Sequence, residues 1–189
     1  MANTIQEELQ GIAAFLAVIW GVFLLDAILP FDLAAWGVVP RTTSGLIGIP
    51  AMPFLHANWQ HIVSNTVPLF ILLVLLAGSK ANSWEVVATI VLASGGLLWL
   101  IGRPAVHVGA SGLIFGLIGF LIVSGLLERR FIPLAISVGV IFFYGGSLLW
   151  GIVPLGDRHV SWEGHLSGAI TGGAIAYWLT WGQERKVVG

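Results

Sequence analysis

Six apolar runs, each close to the length of one bilayer crossing, constrain this chain more than any other feature. They fall at residues 11–29, 61–77, 84–101, 111–127, 132–150 and 162–181. A helix needs about 20 such residues to traverse the hydrocarbon core, and the shorter runs suit a bundle whose helix ends are buried in protein or whose bilayer thins around it. Charged residues make up 9% of the 189, against about 25% in soluble domains, too few to coat a water-facing surface. The expected fold class is therefore all-α: a polytopic membrane protein, folded as one six-transmembrane-helix bundle over residues 1–189.

The bilayer is the one partner that composition demands. A net charge of −1 gives no reason to expect nucleic acid, and the absence of cysteine removes disulfides and thiolate metal ligands. No cofactor and no metal are expected. Residues 1–10 are polar and lack both a basic region and a small-residue cleavage site, so no signal peptide is expected. Residues 30–60 are too rich in Pro and Gly to span, yet carry Leu, Ile, Phe and Trp, which suggests a structured loop partly sunk in the interface.

Six spans put both termini on one side. That side would hold Lys80, Arg129, Arg130, Arg185 and Lys186, against Arg41, Arg103 and Arg158 on the other, a bias toward cytoplasmic termini. Spans two, four and six run in the same direction, and each carries polar residues at its start: His61 and Asn65, then Ser111, then His165. These groups should therefore share one membrane face at similar depth. Ser111 lies roughly 27 Å from Arg129 at about 1.5 Å per residue, close to the non-cytoplasmic edge of the core.

Unpaired hydroxyl and imidazole groups are costly in a membrane span. Ser111, between Gly109-Ala110 and Gly112, opens one apolar helix, and His165 opens another. A lone serine in such a helix often serves only to let helices approach. Here it sits at a helix N-terminus, where unbonded N–H groups and the positive dipole end can stabilise an oxyanion. Gly112, Gly116 and Gly119 share a face of one helix, while Gly168 and Gly172 share the face of His165. Two glycine-lined faces can pack with backbones nearly touching, which would bring serine and imidazole within reach for general-base activation. Asp157 and Glu163 look like loop residues, so the reading is a Ser–His dyad with no orienting acid. His61 and Asn65 are four apart and project from one helix face. They serve either as oxyanion donors or as an interhelical hydrogen-bonding pair. His107 and His159 fall in loops and are assigned nothing. Asp26, an acid inside the first run, is left without a role.

Gly109-Ala110-Ser111-Gly112 with Gly116 resembles the Gly-x-Ser-Gly-x-x-x-Gly signature of the rhomboid intramembrane serine proteases. His165 with Gly168 and Gly172 is similar to that family's last-helix His-x-x-Gly-x-x-x-Gly, and His56, His61 and Asn65 to its second-helix His-x-x-x-x-His-x-x-x-Asn. The resemblance covers about residues 40–172. It implies Ser111 as nucleophile and His165 as base, with His61, Asn65 and the Ser111 N–H as oxyanion hole and Gly109 keeping the preceding loop open. It also implies a water-filled cavity opening away from the cytoplasm and substrates that are themselves transmembrane helices. Phe115 stands where the family commonly has Tyr packed on the catalytic His, and Pro40-Arg41 matches only the Arg of the family's first-loop Trp-Arg pair. The expected setting is a prokaryotic inner membrane, with a monomer sufficient for activity and the oligomeric state left open. The rival from another class is a catalytically silent rhomboid-like protein that binds or chaperones membrane helices. A transporter is disfavoured because no internal repeat is found and Asp26 is the one acid within a span.

Overall fold

The computed structural model describes the backbone at residues 4–79, 83–154 and 160–188, and side chains as far as residue 181. Lys80, Asp157, Arg158 and His159, and the side chains of Arg185 and Lys186, lie outside the described residues. The helices are α1 (Ile5–Asp26), the single turn α2 (Gly48–Ala51), α3 (Trp59–Ser79), α4 (Ser83–Ile101), α5 (Ser111–Glu128), α6 (Phe131–Gly151) and α7 (Trp162–Val188). Five of them, α1, α3, α4, α5 and α6, are long and apolar enough to cross a membrane. At 27 residues α7 is longer still, but it opens with Glu163 and His165 and its interior is rich in glycine, so it is less apolar than the other five.

Caps, rather than hydropathy, set where α1 begins and ends. Thr4 Oγ1 accepts from the Glu7 N–H at 3.2 Å while the Glu7 carboxylate accepts from the Thr4 N–H at 2.7 Å. This reciprocal pair starts the helix before the apolar run does. At the other end Asp26 is the last helical residue, and its carboxylate accepts from the Leu33 N–H at 2.6 Å. The acid expected within a span therefore caps the turn that leads out of it.

The bundle is organised around α5. Two-thirds of its apolar stretch (67%) is buried, against 17% for α1 and 11% for α6, which face outward. Glycines allow this enclosure. A side chain at Gly168 would collide with the Gly112 carbonyl, one at Gly172 with the Gly116 carbonyl, and one at Gly119 with the Ala169 carbonyl. Along this seam α5 and α7 touch backbone to backbone, the arrangement that close van der Waals packing in a membrane favours.

Residues 27–58 form an ordered loop that is stitched to the start of α5. Val38 and His107 exchange two backbone hydrogen bonds (2.9 and 2.8 Å), and the Met52 carbonyl accepts from the Gly109 N–H at 3.0 Å. Arg41 adopts a left-handed conformation (φ 59°). It is held there by its own N–H on the Trp99 carbonyl at 3.0 Å and by its guanidinium on the Leu100 and Gly102 carbonyls at 3.1 and 2.8 Å. Trp99 returns a bond from Nε1 to the Thr42 carbonyl at 2.8 Å. The loop is thus anchored by an Arg–Trp partnership in which the indole comes from α4 and not from the residue before the arginine. Phe31, Trp36, Leu46 and Ile47 remain exposed on it, as an interfacial seat requires.

Substituting Gly172→Val should lower the melting midpoint in detergent, with a loss on the order of 1–3 kcal/mol or more from overpacking. Gly139→Ala, where a Cβ meets nothing within 4 Å, should leave it nearly unchanged. Circular-dichroism melts of the two variants check this.

Candidate active site

A cavity of about 690 Å³ opens where the N-terminal ends of α3, α5 and α7 meet the C-terminal half of α6. Ser111, His165, His61, Asn65 and Phe115 all line it. The shared direction of the three helices produces this convergence.

Ser111 is the first residue of α5, where the backbone N–H groups of the opening turn have no intrahelical partner. Gly109 precedes it with φ 108°, a conformation open to glycine and strained for other residues. A side chain there would strike the His61 ring, with the Asn65 amide nitrogen next at 3.4 Å. The absence of a Cβ at this position lets the loop, the His61 imidazole and the Asn65 amide meet.

His165 is held from two sides. Its ring stacks on Phe115, with centroids 4.1 Å apart and planes 5° from parallel, a contact that needs no phenolic hydroxyl. Its Nδ1 lies 2.9 Å from the Gly151 carbonyl. A carbonyl can only accept, so Nδ1 carries the proton and Nε2 keeps its lone pair. Gly151 comes this near because a side chain there would run into the Phe115 ring. The group that orients the His165 ring is thus a main-chain carbonyl at the end of α6, and only the glycine following that apolar run hints at it. Among the described residues the Ser111 hydroxyl and the His165 ring are not hydrogen-bonded to each other. Catalytic contacts are often loose before substrate arrives.

Behind the cavity, His56 and Asn65 are buried, and the Asn65 amide donates to His56 Nε2 at 3.1 Å. That leaves Asn65 a second N–H. The His56 and His61 rings meet edge to face at 5.0 Å. Burial, aided by the neighbouring His61 and opposed by the Phe54 backbone, pulls the His56 pKa down to about 4.

Glu163, expected in a loop, instead occupies the first turn of α7, buried and 3.3 Å from the Arg103 guanidinium. His107, assigned nothing from sequence, is buried and lines the cavity beside it. Tyr144 and Ser147 of α6 also reach the cavity; no motif marks them.

These helices define a polytopic α-helical membrane protein. The Rhomboid domain family model matches residues 44–182, and the chain belongs to the rhomboid family, whose members are generally intramembrane serine proteases. Similar proteins, all described as uncharacterized, occur in Mycobacterium tuberculosis and Mycobacterium bovis, each 43% identical over 185 residues that cover 93% of this chain and 76% of the relative. A Mycobacterium leprae relative is 44% identical over the same span, covering 72% of its own length.

A histidine whose folded pKa is depressed binds its proton more readily when unfolded. Stability is then fully present above the ordinary value of 6.5 and is lost as pH falls from there toward about 4. His56→Gln, which keeps an acceptor for Asn65, should flatten that loss by up to roughly 3 kcal/mol. Melting curves recorded across this pH range, variant against parent, check it.

Proposed function

We propose that this chain is a serine endopeptidase that hydrolyses peptide bonds in or near transmembrane helices of other membrane proteins. Ser111 is its nucleophile and His165 its base. The observation that carries the reading is the His165 Nδ1 hydrogen bond to the Gly151 carbonyl. It leaves an unprotonated Nε2 in the same cavity as a serine at a helix N-terminus. Ser111 Oγ attacks the scissile carbonyl carbon while Nε2 takes the hydroxyl proton, and the carbonyl electron pair moves onto oxygen. The Ser111 N–H, the second Asn65 amide N–H and a His61 ring N–H meet that oxyanion. Collapse breaks the C–N bond, and the proton on Nε2 passes to the leaving amine. Water, activated by the same nitrogen, then releases the acyl group from the serine.

A helical peptide bond is shielded by its own hydrogen bonds, so the substrate segment must unwind before attack. Gly, Pro and other weak helix formers near the scissile bond lower that cost. In this reading α7 is the sixth span and one domain of one chain suffices, because every site residue comes from it. The termini face the cytoplasm of a prokaryotic inner membrane and the cavity opens to the other side. Arg129 and Arg130, in the turn between α5 and α6 at the end of the bundle away from the cavity, support this orientation.

Cleavage of a single-span substrate in liposomes tests the assignment. Parent protein should cut, and folded Ser111→Ala and His165→Ala should not. Parent protein that cuts no member of a varied panel, with Ser111 unlabelled by a fluorophosphonate, would instead point to a silent helix-binding homologue. Asn65→Ala should lower kcat by about 10²-fold with little change in KM, as loss of one oxyanion donor does elsewhere; steady-state kinetics read the split.

A further inference from the structure

One cluster of polar groups, with His107 and Glu163 buried and Arg103 and Ser161 half-buried, takes no part in the chemistry above. It joins the loop that leads into Ser111 to the turn that leads into His165. Arg103 follows the end of α4, and one guanidinium nitrogen lies 3.3 Å from the Glu163 carboxylate. Another donates to the Val160 carbonyl at 2.8 Å. His107 Nε2 faces the Arg103 carbonyl at 3.1 Å. That carbonyl can only accept, so Nε2 carries the proton and Nδ1 takes the Ser161 hydroxyl hydrogen across 2.7 Å. The same Ser161 oxygen accepts from the Gly164 N–H at 3.3 Å, and its carbonyl accepts from the His165 N–H at 3.1 Å. Ser161 thereby acts as the N-cap of the helix that bears His165.

From the Arg103 carbonyl through His107 to Ser161 and the Gly164 N–H, the donor and acceptor of each hydrogen bond are fixed. Burial keeps His107 neutral, pushing its pKa below the ordinary histidine value despite the Arg103 carbonyl and the Glu163 charge. An ion pair with one partner as buried as Glu163 (3% exposed) contributes little net stability over apolar packing, yet breaking it is costly. Its distinctive property is direction: it sets where one backbone segment lies relative to another. The segments it joins end at the nucleophile, four residues beyond His107, and at the base, two residues beyond Glu163.

We propose that Arg103, His107, Ser161 and Glu163 form a latch that sets the separation of Ser111 and His165, and that they are positioning residues of the hydrolysis. The proposal rests on the function given above and deepens it.

Two measurements test it. In the liposome assay, Glu163→Gln and Arg103→Ala should each lower kcat by about 10- to 100-fold with KM nearly unchanged; the melting midpoint should hold in Glu163→Gln and fall in Arg103→Ala. Arg103→Ala should be the worse, because it strands a buried carboxylate, and the double variant should recover part of that loss. The second measurement needs no activity. The chain has no cysteine, so Ser111→Cys/His165→Cys can be bridged by dibromobimane, whose fluorescence reports that both arms have reacted. Removing the latch in that background should slow bridging severalfold. Equal bridging rates with and without the latch, or parental kcat in folded Glu163→Gln protein, overturn the proposal. Cleavage that survives Ser111→Ala overturns the assigned nucleophile instead, and the bridging rates still decide the latch.

Discussion

The structure depends on the contact between the backbones of α5 and α7. Gly168 and Gly172 of α7 face Gly112 and Gly116 of α5 so closely that a side chain at either α7 position would collide with an α5 carbonyl. In a bilayer no hydrophobic force drives helices together, so close van der Waals contact is what remains to hold them. The same contact draws the N-termini of both helices to one level. A serine at one N-terminus and an imidazole at the other then share a cavity.

Around that seam, orientation comes largely from the main chain. The Gly151 carbonyl fixes the His165 tautomer, the Met52 carbonyl holds the Gly109 N–H, and the Trp99 carbonyl holds Arg41. Main-chain groups suit a membrane protein, since they add no charge that would have to be desolvated. Where charge does enter, as at Arg103 and Glu163, it is paired at the cavity rim. The long first loop is stitched to the segment before Ser111 and supports it from behind.

Much of this was legible in the sequence. The apolar runs give most helix ends to within a few residues; α1 begins earlier because of the Thr4–Glu7 capping box, and α7 continues past its run to Val188. Helix parity predicts that His61, Asn65, Ser111 and His165 gather on one face, and the cavity contains all of them. Glycine spacing anticipates the close seam. The expected loop placement of Glu163 was wrong because the Ser161 hydroxyl and carbonyl cap α7 just ahead of Trp162, which puts Glu163 in the first helical turn. The loop anchor was half visible: Arg41 stands out, but the Trp99 carbonyl that holds its N–H and the Trp99 indole that bonds the Thr42 carbonyl lie far off on α4.

The sequence by itself determined that the chain spans a membrane, how its helices are ordered, and that His61, Asn65, Ser111 and His165 gather at one end of them. Those properties follow from local periodicity and from the cost of placing polar groups in lipid. Tertiary structure alone decided what orients His165, what holds the loop before Ser111, and what joins the two segments that end in those residues. Backbone carbonyls do most of this work. Every residue has one, so no residue type marks the few that matter until folding brings them within 3 Å of a donor.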